Sequence, residues 1–391
     1  MSDPTPVDTG WSWYRPMTAR STDEQIRTST ELELLFDLCF VIAVAQAAAA
    51  FEHQVAAGHI AHGVRGYAMV FFAIWWAWMN FTWFASAYDT DDVLYRLLTL
   101  VQIGGALTLA AGVARALDDS DFVLVAMGYV VMRLAMVAQW LRAASSDPER
   151  RRTSLRYAMG ILTVQIGWVL VAYGLIPNLS VSFLVLVVAE LSVPVWAERT
   201  ARTTWHPSHI AERFGLFTLI VLGETVAAAA AAMRAALDTH ASYADIASLS
   251  IGGLVTVFAM WWLYFAVDSR SQLGSLGASL RWGYGHYAVF ASAAAVGAGL
   301  SVNIAEAIEH VEISRTTVAA SYTIPVAVYL TALRLIRRPS NPSGTLDGLW
   351  ILALLGLLGA TFAHRTVLVT GLVTGALVAA AVTNLQRRAA H

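Results

Sequence analysis

Glu31-Leu-Glu-Leu-Leu-Phe-Asp-Leu-Cys-Phe-Val-Ile-Ala-Val-Ala-Gln46 places a carboxylate, Asp37, several residues inside an apolar run long enough to span a bilayer. An ionised side chain at mid-membrane depth costs roughly 2.5–3.5 kcal/mol on insertion scales, so it faces a partner or a wet cavity rather than lipid. A second stretch answers it about 178 residues later: His209-Ile-Ala-Glu-Arg-Phe-Gly-Leu-Phe-Thr-Leu-Ile-Val-Leu-Gly-Glu224, in which Phe214 matches Phe36 and Glu224 matches Gln46.

The chain of 391 residues is 57% hydrophobic and only 13% charged, about half the charged fraction of an average soluble domain. Its apolar residues fall into separate runs, each near the ~20 residues that cross ~30 Å of hydrocarbon as a helix. That composition identifies an all-α polytopic membrane protein with the lipid bilayer as partner. A net charge of −2 with no basic stripe excludes nucleic acid. One cysteine, Cys39, excludes an internal disulfide. The first 30 residues carry Asp3, Asp8, Asp23 and Glu24 and no apolar core, so residues 1–31 read as a polar tail.

Twelve spans are expected, over about 32–52, 66–87, 93–115, 121–142, 155–174, 179–198, 209–234, 245–267, 282–305, 316–337, 346–363 and 366–386. The chain has no lysine, and its 25 arginines test the orientation. With both termini inside, Arg65, Arg115, Arg234, Arg315 and Arg365 lie in outer loops and Arg96, Arg133 and Arg213 within spans. The remaining seventeen are cytoplasmic, as the positive-inside rule asks. The expected location is therefore the cell membrane with both ends cytoplasmic.

The likeness of the two stretches continues: Ala73-Ile-Trp-Trp-Ala-Trp matches Ala259-Met-Trp-Trp-Leu-Tyr, and each run leads to an acid, Asp89 or Asp268. Setting Arg96 against His286 and Tyr129 against Tyr322 lets the offset grow slowly, as loop insertions would make it. Two parallel six-helix repeats are expected, at 32–198 and 209–386, joined by a linker at 199–208 and followed by a tail at 387–391. An even helix count gives both halves one orientation, about a pseudo-two-fold axis along the membrane normal. Pro194 and Pro325 inside spans each remove a backbone bond and invite a kink, and Pro194 frees the carbonyl of Glu190. Gly371 and Gly375 form a GxxxG that suggests close helix contact, within the chain or across a homodimer.

The candidate solute or ion pathway is Asp37, Gln46, Arg133, Glu190 and Glu224, supported by Arg96, His209, Glu212 and Arg213. Thr28-x-x-Glu31 and Thr30-x-x-Glu33 both match a capping box, which gives those two acids a structural role. Asp37 lies too deep for that, and Arg96 is its nearest expected partner by depth. If Arg133, Glu190 and Glu224 share one interior, Arg133 neutralises one carboxylate; the other binds a cation, hydrogen-bonds or holds a proton. Glu224 is the partner of Arg133 favoured by the repeat. Arg213 and Glu224, eleven residues apart on one helix, cannot meet, so each needs a partner elsewhere. Trp75, Trp76, Trp78, Trp83, Trp261 and Trp262 read as packing. His53, His59 and His62 lack carboxylate or thiolate company, so a solvated loop is expected rather than a metal site. No catalytic motif occurs, and neither enzyme activity nor a cofactor is expected.

At these residues the chain resembles the bacterial low temperature requirement A proteins. The likeness rests on Leu35-Phe36-Asp37-Leu38 within the first stretch, Glu212-Arg213-Phe214-Gly215-Leu216-Phe217 within the second, and the run Trp261-Trp262-Leu263-Tyr264-Phe265. In that family an acid commonly follows the aromatic directly, whereas here Ala266 and Val267 precede Asp268. The resemblance implies a membrane protein connected with growth in the cold. A fainter likeness is to endolysosomal and bacterial potassium channels whose first helix carries arginine, a short spacer and Phe-Ser-Asp. Arg27 and Phe36-Asp37 are the corresponding types, with a longer spacer and Leu35 in place of the serine. The function expected is a secondary transporter or permease for a small solute or ion. The alternatives are a cation or proton channel, or a signalling or scaffold protein linked to cold growth.

Overall fold

Thr30 and Glu33 set the start of the first helix. The Glu33 backbone N–H donates to Thr30 Oγ1 at 3.3 Å, and Glu33 Oε2 accepts from the Thr30 N–H at 2.9 Å. This reciprocal capping box satisfies two donors that a helix start leaves open. Glu31 stands exposed in the same turn. The computed structural model describes residues 12–20, 27–238, 242–267, 269–309, 313–337 and 344–389.

Twelve α-helices follow in order, with no strand among the described residues: α1 Glu31–Ala56, α2 Ile60–Tyr88, α3 Val93–Asp118, α4 Val123–Ser146, α5 Arg151–Ala172, α6 Leu179–Ala197, α7 Pro207–Leu237, α8 Tyr243–Phe265, α9 Leu276–Glu309, α10 Arg315–Ile336, α11 Gly344–Ala360 and α12 Thr366–Ala389. Eleven of these are long and apolar enough to cross a membrane, and α11 is the shorter apolar one. The twelve expected spans are thus present as helices. α2 and α9 begin about a turn or more before the expected positions, because their first turns carry His62 and Arg65 or Arg281, which an apolar-run reading trims away. Asp268, which the sequence set against Asp89, lies outside the described residues.

The helices fall into two compact units, and each boundary lies inside a helix. Unit 1 is Met1–Ala43 with Ala73–Arg213; unit 2 is Val44–Phe72 with Phe214–His391. In unit 1, α3 and α4 approach closely at Gly105 and Gly128, where a Cβ on Gly128 would stand 2.4 Å from Gly105 O. With no hydrophobic drive between helices in lipid, such small-residue contacts supply the packing. Aromatic rings fill the rest of that core: Phe36 lies against Phe40 and Phe81, and Trp140 stacks on Tyr157 at 4.1 Å.

In unit 2, Gly371 of α12 meets Gly252 of α8, with a Cβ on Gly371 only 2.7 Å from Gly252 O. The GxxxG face therefore makes its close contact within the chain. Tyr67 donates to the Ala291 carbonyl at 2.6 Å and Tyr287 to that of Ala68 at 2.8 Å, tying α2 to α9. Trp261 and Trp262 are about half exposed beside Phe258 and Phe265, an apolar face turned outward. Val181, Leu184, Val185 and Val188 of α6 likewise face out. Outward apolar faces on spans of this length suit lipid and place the protein in a membrane.

Candidate functional site

The sequence spaces Glu33 and Asp37 four residues apart on α1, and His209 and Arg213 four apart on α7. Each pair therefore lies on one helix face. Within unit 1 the two faces meet. Arg213 donates to both oxygens of Asp37, from Nε at 3.0 Å and from Nη2 at 2.5 Å. Its Nη1 lies 2.9 Å from Glu33 Oε1, and His209 Nε2 lies 3.2 Å from the same oxygen. Trp78 Nε1 completes the site with a 2.7 Å bond to Asp37 Oδ1.

The cluster continues outward. Arg27 Nη2 stands 3.9 Å from Glu33 Oε1 and 3.5 Å from Asp89 Oδ2, and Arg20 Nη1 stands 3.3 Å from Asp89. Arg27 also donates to the Ala85 carbonyl at 2.7 Å and to that of Ser86, which satisfies the last turn of α2. Side-chain exposure falls along this series from 31% at Arg20 to 7% at Asp89, 3% at Arg27 and 0% at Arg213 and Asp37. The joined groups are three arginines, three carboxylates and one histidine, so their formal charges cancel only while His209 is neutral. Burial pushes Asp89 up to about 6; the nearby Glu33 charge adds to this, and Arg27 and Arg20 oppose it. Burial lowers Arg27 from its usual value, against the pull of Glu33 and Asp89.

Two expected pairings are corrected. Arg96 does not reach Asp37: it lies on an exposed face of α3 and binds Asp91, five residues back, at 2.7 Å. Depth alone had suggested it, whereas the facing direction of α7 gives Asp37 to Arg213. Arg133 binds Glu190 at 2.7 Å, not Glu224. Glu190 is 0% exposed and collects donors from three helices of unit 1: Trp76 Nε1 at 2.8 Å, Tyr129 Oη at 2.9 Å, Arg133 Nη2, Trp168 Nε1 at 3.2 Å and Gln165 Nε2 at 3.4 Å. A carboxylate has about four lone-pair sites, so five donors saturate it. Trp76 and Trp78, read from the sequence as packing, each supply an indole N–H to a buried acid.

Glu212 lies off the face of His209 and Arg213, and accepts from the Ser29 N–H at 3.3 Å, tethering the approach to α1. Gln46 is exposed. Glu224 lies in unit 2, where it lines a cavity of about 80 Å³ together with Glu52, Thr225 and Ser301; the remaining lining is alanine and glycine. That volume has room for a few waters. Glu52 escaped the sequence reading because it sits at the polar end of its apolar run, among His53 and Gln54. No cluster of three or more histidine, cysteine or acidic residues fit for a metal occurs among the described residues.

The family model for "Bacterial low temperature requirement A protein (LtrA)" matches residues 28–384. The chain is also similar to "Uncharacterized protein RA0937" of Rhizobium meliloti (strain 1021), 27% identical over 244 residues. That match covers 60% of this chain and 57% of the relative, a little over half of the relative's length. No solved structure matches significantly.

Proposed function

The chain belongs to the bacterial low temperature requirement A family, and from that premise we propose that it is a proton-coupled secondary transporter for a small solute or ion. The observation that carries the reading is the ion-pair series from Arg20 to Asp37, which leads from partial exposure to complete burial inside a span. Buried ion pairs stabilise a fold no better than apolar packing of the same volume, so their retention at membrane depth calls for another reason. Here the reason is charge balance. A proton added to His209 or to any of the three acids leaves one uncompensated positive charge where such a charge costs several kcal/mol. The added charge is relieved by opening an ion pair or by admitting a counter-ion, and either event couples protonation to movement or binding.

Arg213 is the hinge of this scheme, since it already holds two carboxylates and can loosen from one while keeping the other. Arg133 and Glu190 serve as support, because every lone pair of Glu190 is taken. The arginine distribution favours cytoplasmic termini, and the two-repeat organisation is part of the same proposal. A reporter at residue 148 that reads outside would sink the orientation.

A cation or proton channel is the second reading, favoured by the same gradient of exposure. Saturable, gradient-driven uptake separates a carrier from a pore, which gives single-channel currents instead. Comparing metabolite and ion content of a deletion strain with its parent, at low and normal temperature, tests both: an unchanged content at both temperatures would overturn transport of either kind.

A further inference from the structure

Unit 2 holds a larger cavity, of about 500 Å³, at the end where α8, α10 and α12 begin and α9 and α11 finish. This is within the size range of small-molecule sites. Its charged lining comes from four places in the sequence: Asp245 in the first turn of α8, Glu306 near the end of α9, Arg315 at the start of α10, and Arg365 in the turn before α12. Asn303 and His364 add further polar groups. Two arginines and two carboxylates sum to zero, so the cavity favours neither a net anion nor a net cation.

Asp245 and Arg365 are only loosely paired. Asp245 and Arg365 face each other at 3.8 Å, the far limit of an ion pair, and the side chain of each is 49% exposed. Arg315 is exposed. A pair so open to solvent is worth little by itself, and both partners can turn to a ligand at small cost. Leu249, Val318 and Val367 give the lining an apolar part, beside the buried hydroxyls of Ser248 and Thr366. Charges of both signs beside apolar side chains match a small molecule that carries both charges and a short carbon body.

We propose that this cavity binds a small zwitterionic solute, with its carboxylate on Arg315 and Arg365 and its ammonium on Asp245 and Glu306. The arginine forks suit a carboxylate bidentately, and carboxylates accept from an ammonium. With cytoplasmic termini the cavity faces outward. The site stands apart from the transport reading, since binding here requires no gradient and no part of the unit 1 cluster.

The test is equilibrium binding to the purified full chain in detergent, by calorimetry, with glycine, γ-aminobutyrate and the dipeptide Ala-Ala as probes. The dipeptide is tested with each end free, N-acetylated or C-amidated. At least one zwitterion is expected to saturate below about ten millimolar, beyond the millimolar ceiling of ordinary substrate affinities. Blocking either end is expected to weaken binding about tenfold, the scale of one charge-assisted hydrogen bond. Arg365→Gln should weaken the free dipeptide and spare its amide, whereas Asp245→Asn should weaken it and spare the N-acetyl form. Both side chains are half exposed, so an unchanged unfolding midpoint without ligand confirms that the variants are intact. Saturation by none of the zwitterions, or equal affinity for blocked and free forms, overturns the proposal.

Discussion

Arg213 holds both oxygens of Asp37, with Nε and Nη2 as a two-pronged donor, and turns its remaining nitrogen toward Glu33. One guanidinium thus faces two carboxylates, and the two losses are unequal. Arg213→Gln leaves Asp37 and Glu33 together in the interior, with His209 and the more distant Arg27 as the basic side chains beside them. Asp37→Asn leaves Arg213 still beside Glu33. Removing one partner of a buried pair costs about 3–5 kcal/mol. Arg213→Gln should therefore lower the folded yield clearly more than Asp37→Asn, and size-exclusion profiles of the two variants would read the difference. Equal yields would mean that Glu33 does not share the arginine.

Arg133 and Glu190 should behave as a pair. Arg133→Gln and Glu190→Gln should each lower the unfolding midpoint, and the double variant should recover part of it, with a coupling of about 1–3 kcal/mol. Arg133→Gln with Glu224→Gln should show losses that simply add. A coupling in the second cycle but not the first would reverse the assignment of partners.

How much of this was legible in the sequence depends on the kind of contact. Twelve apolar runs at spanning length announced twelve helices, since the hydrocarbon thickness leaves little choice of length. Asp37 stood out because an acid inside such a run needs a reason. Its partner did not, because depth places both Arg96 and Arg213 near it and only tertiary packing decides which one faces it. The matched four-residue spacing of Glu33 with Asp37 and His209 with Arg213 was a signal present all along. Trp76 and Trp78 looked like bulk, yet a buried indole N–H needs an acceptor, and each found a carboxylate. Glu190 was readable as a mid-span acid, but its five donors come from residues scattered between 76 and 168 with no shared spacing.

Asp89 gives a pH dependence of definite sign. Its folded value of about 6 lies above the usual carboxylate value of about 4. Between these two values the folded state binds more protons than the unfolded one. Its contribution to stability is then largest below about pH 4, declines as the pH rises toward 6, and is constant above that. Thermal unfolding of the purified protein should show this slope in the wild type, and Asp89→Asn should flatten it. An identical slope in the variant would assign the dependence to other groups.

Glycines at helix contacts should differ from glycines facing outward. A Cβ at Gly252 would fall 2.4 Å from the Val367 carbonyl oxygen, whereas one at Gly104 meets nothing within 4 Å. Gly252→Ala should lower the unfolding midpoint by forcing α8 and α12 apart. Gly104→Ala should leave it unchanged or raise it, since alanine favours a helix by roughly 0.5–1 kcal/mol. Equal effects would show that α8 and α12 do not approach so closely.

The most direct test is proton movement in proteoliposomes that carry a pH-sensitive dye inside. A mixture of small bacterial solutes, added to one side, should produce a saturable change of internal pH with the wild-type protein. Asp37→Asn, recovered in folded form, should abolish it while Gly104→Ala leaves it intact. No solute-dependent pH change with the wild type, or an equal change with Asp37→Asn, would contradict proton-coupled transport through the Arg213–Asp37 cluster.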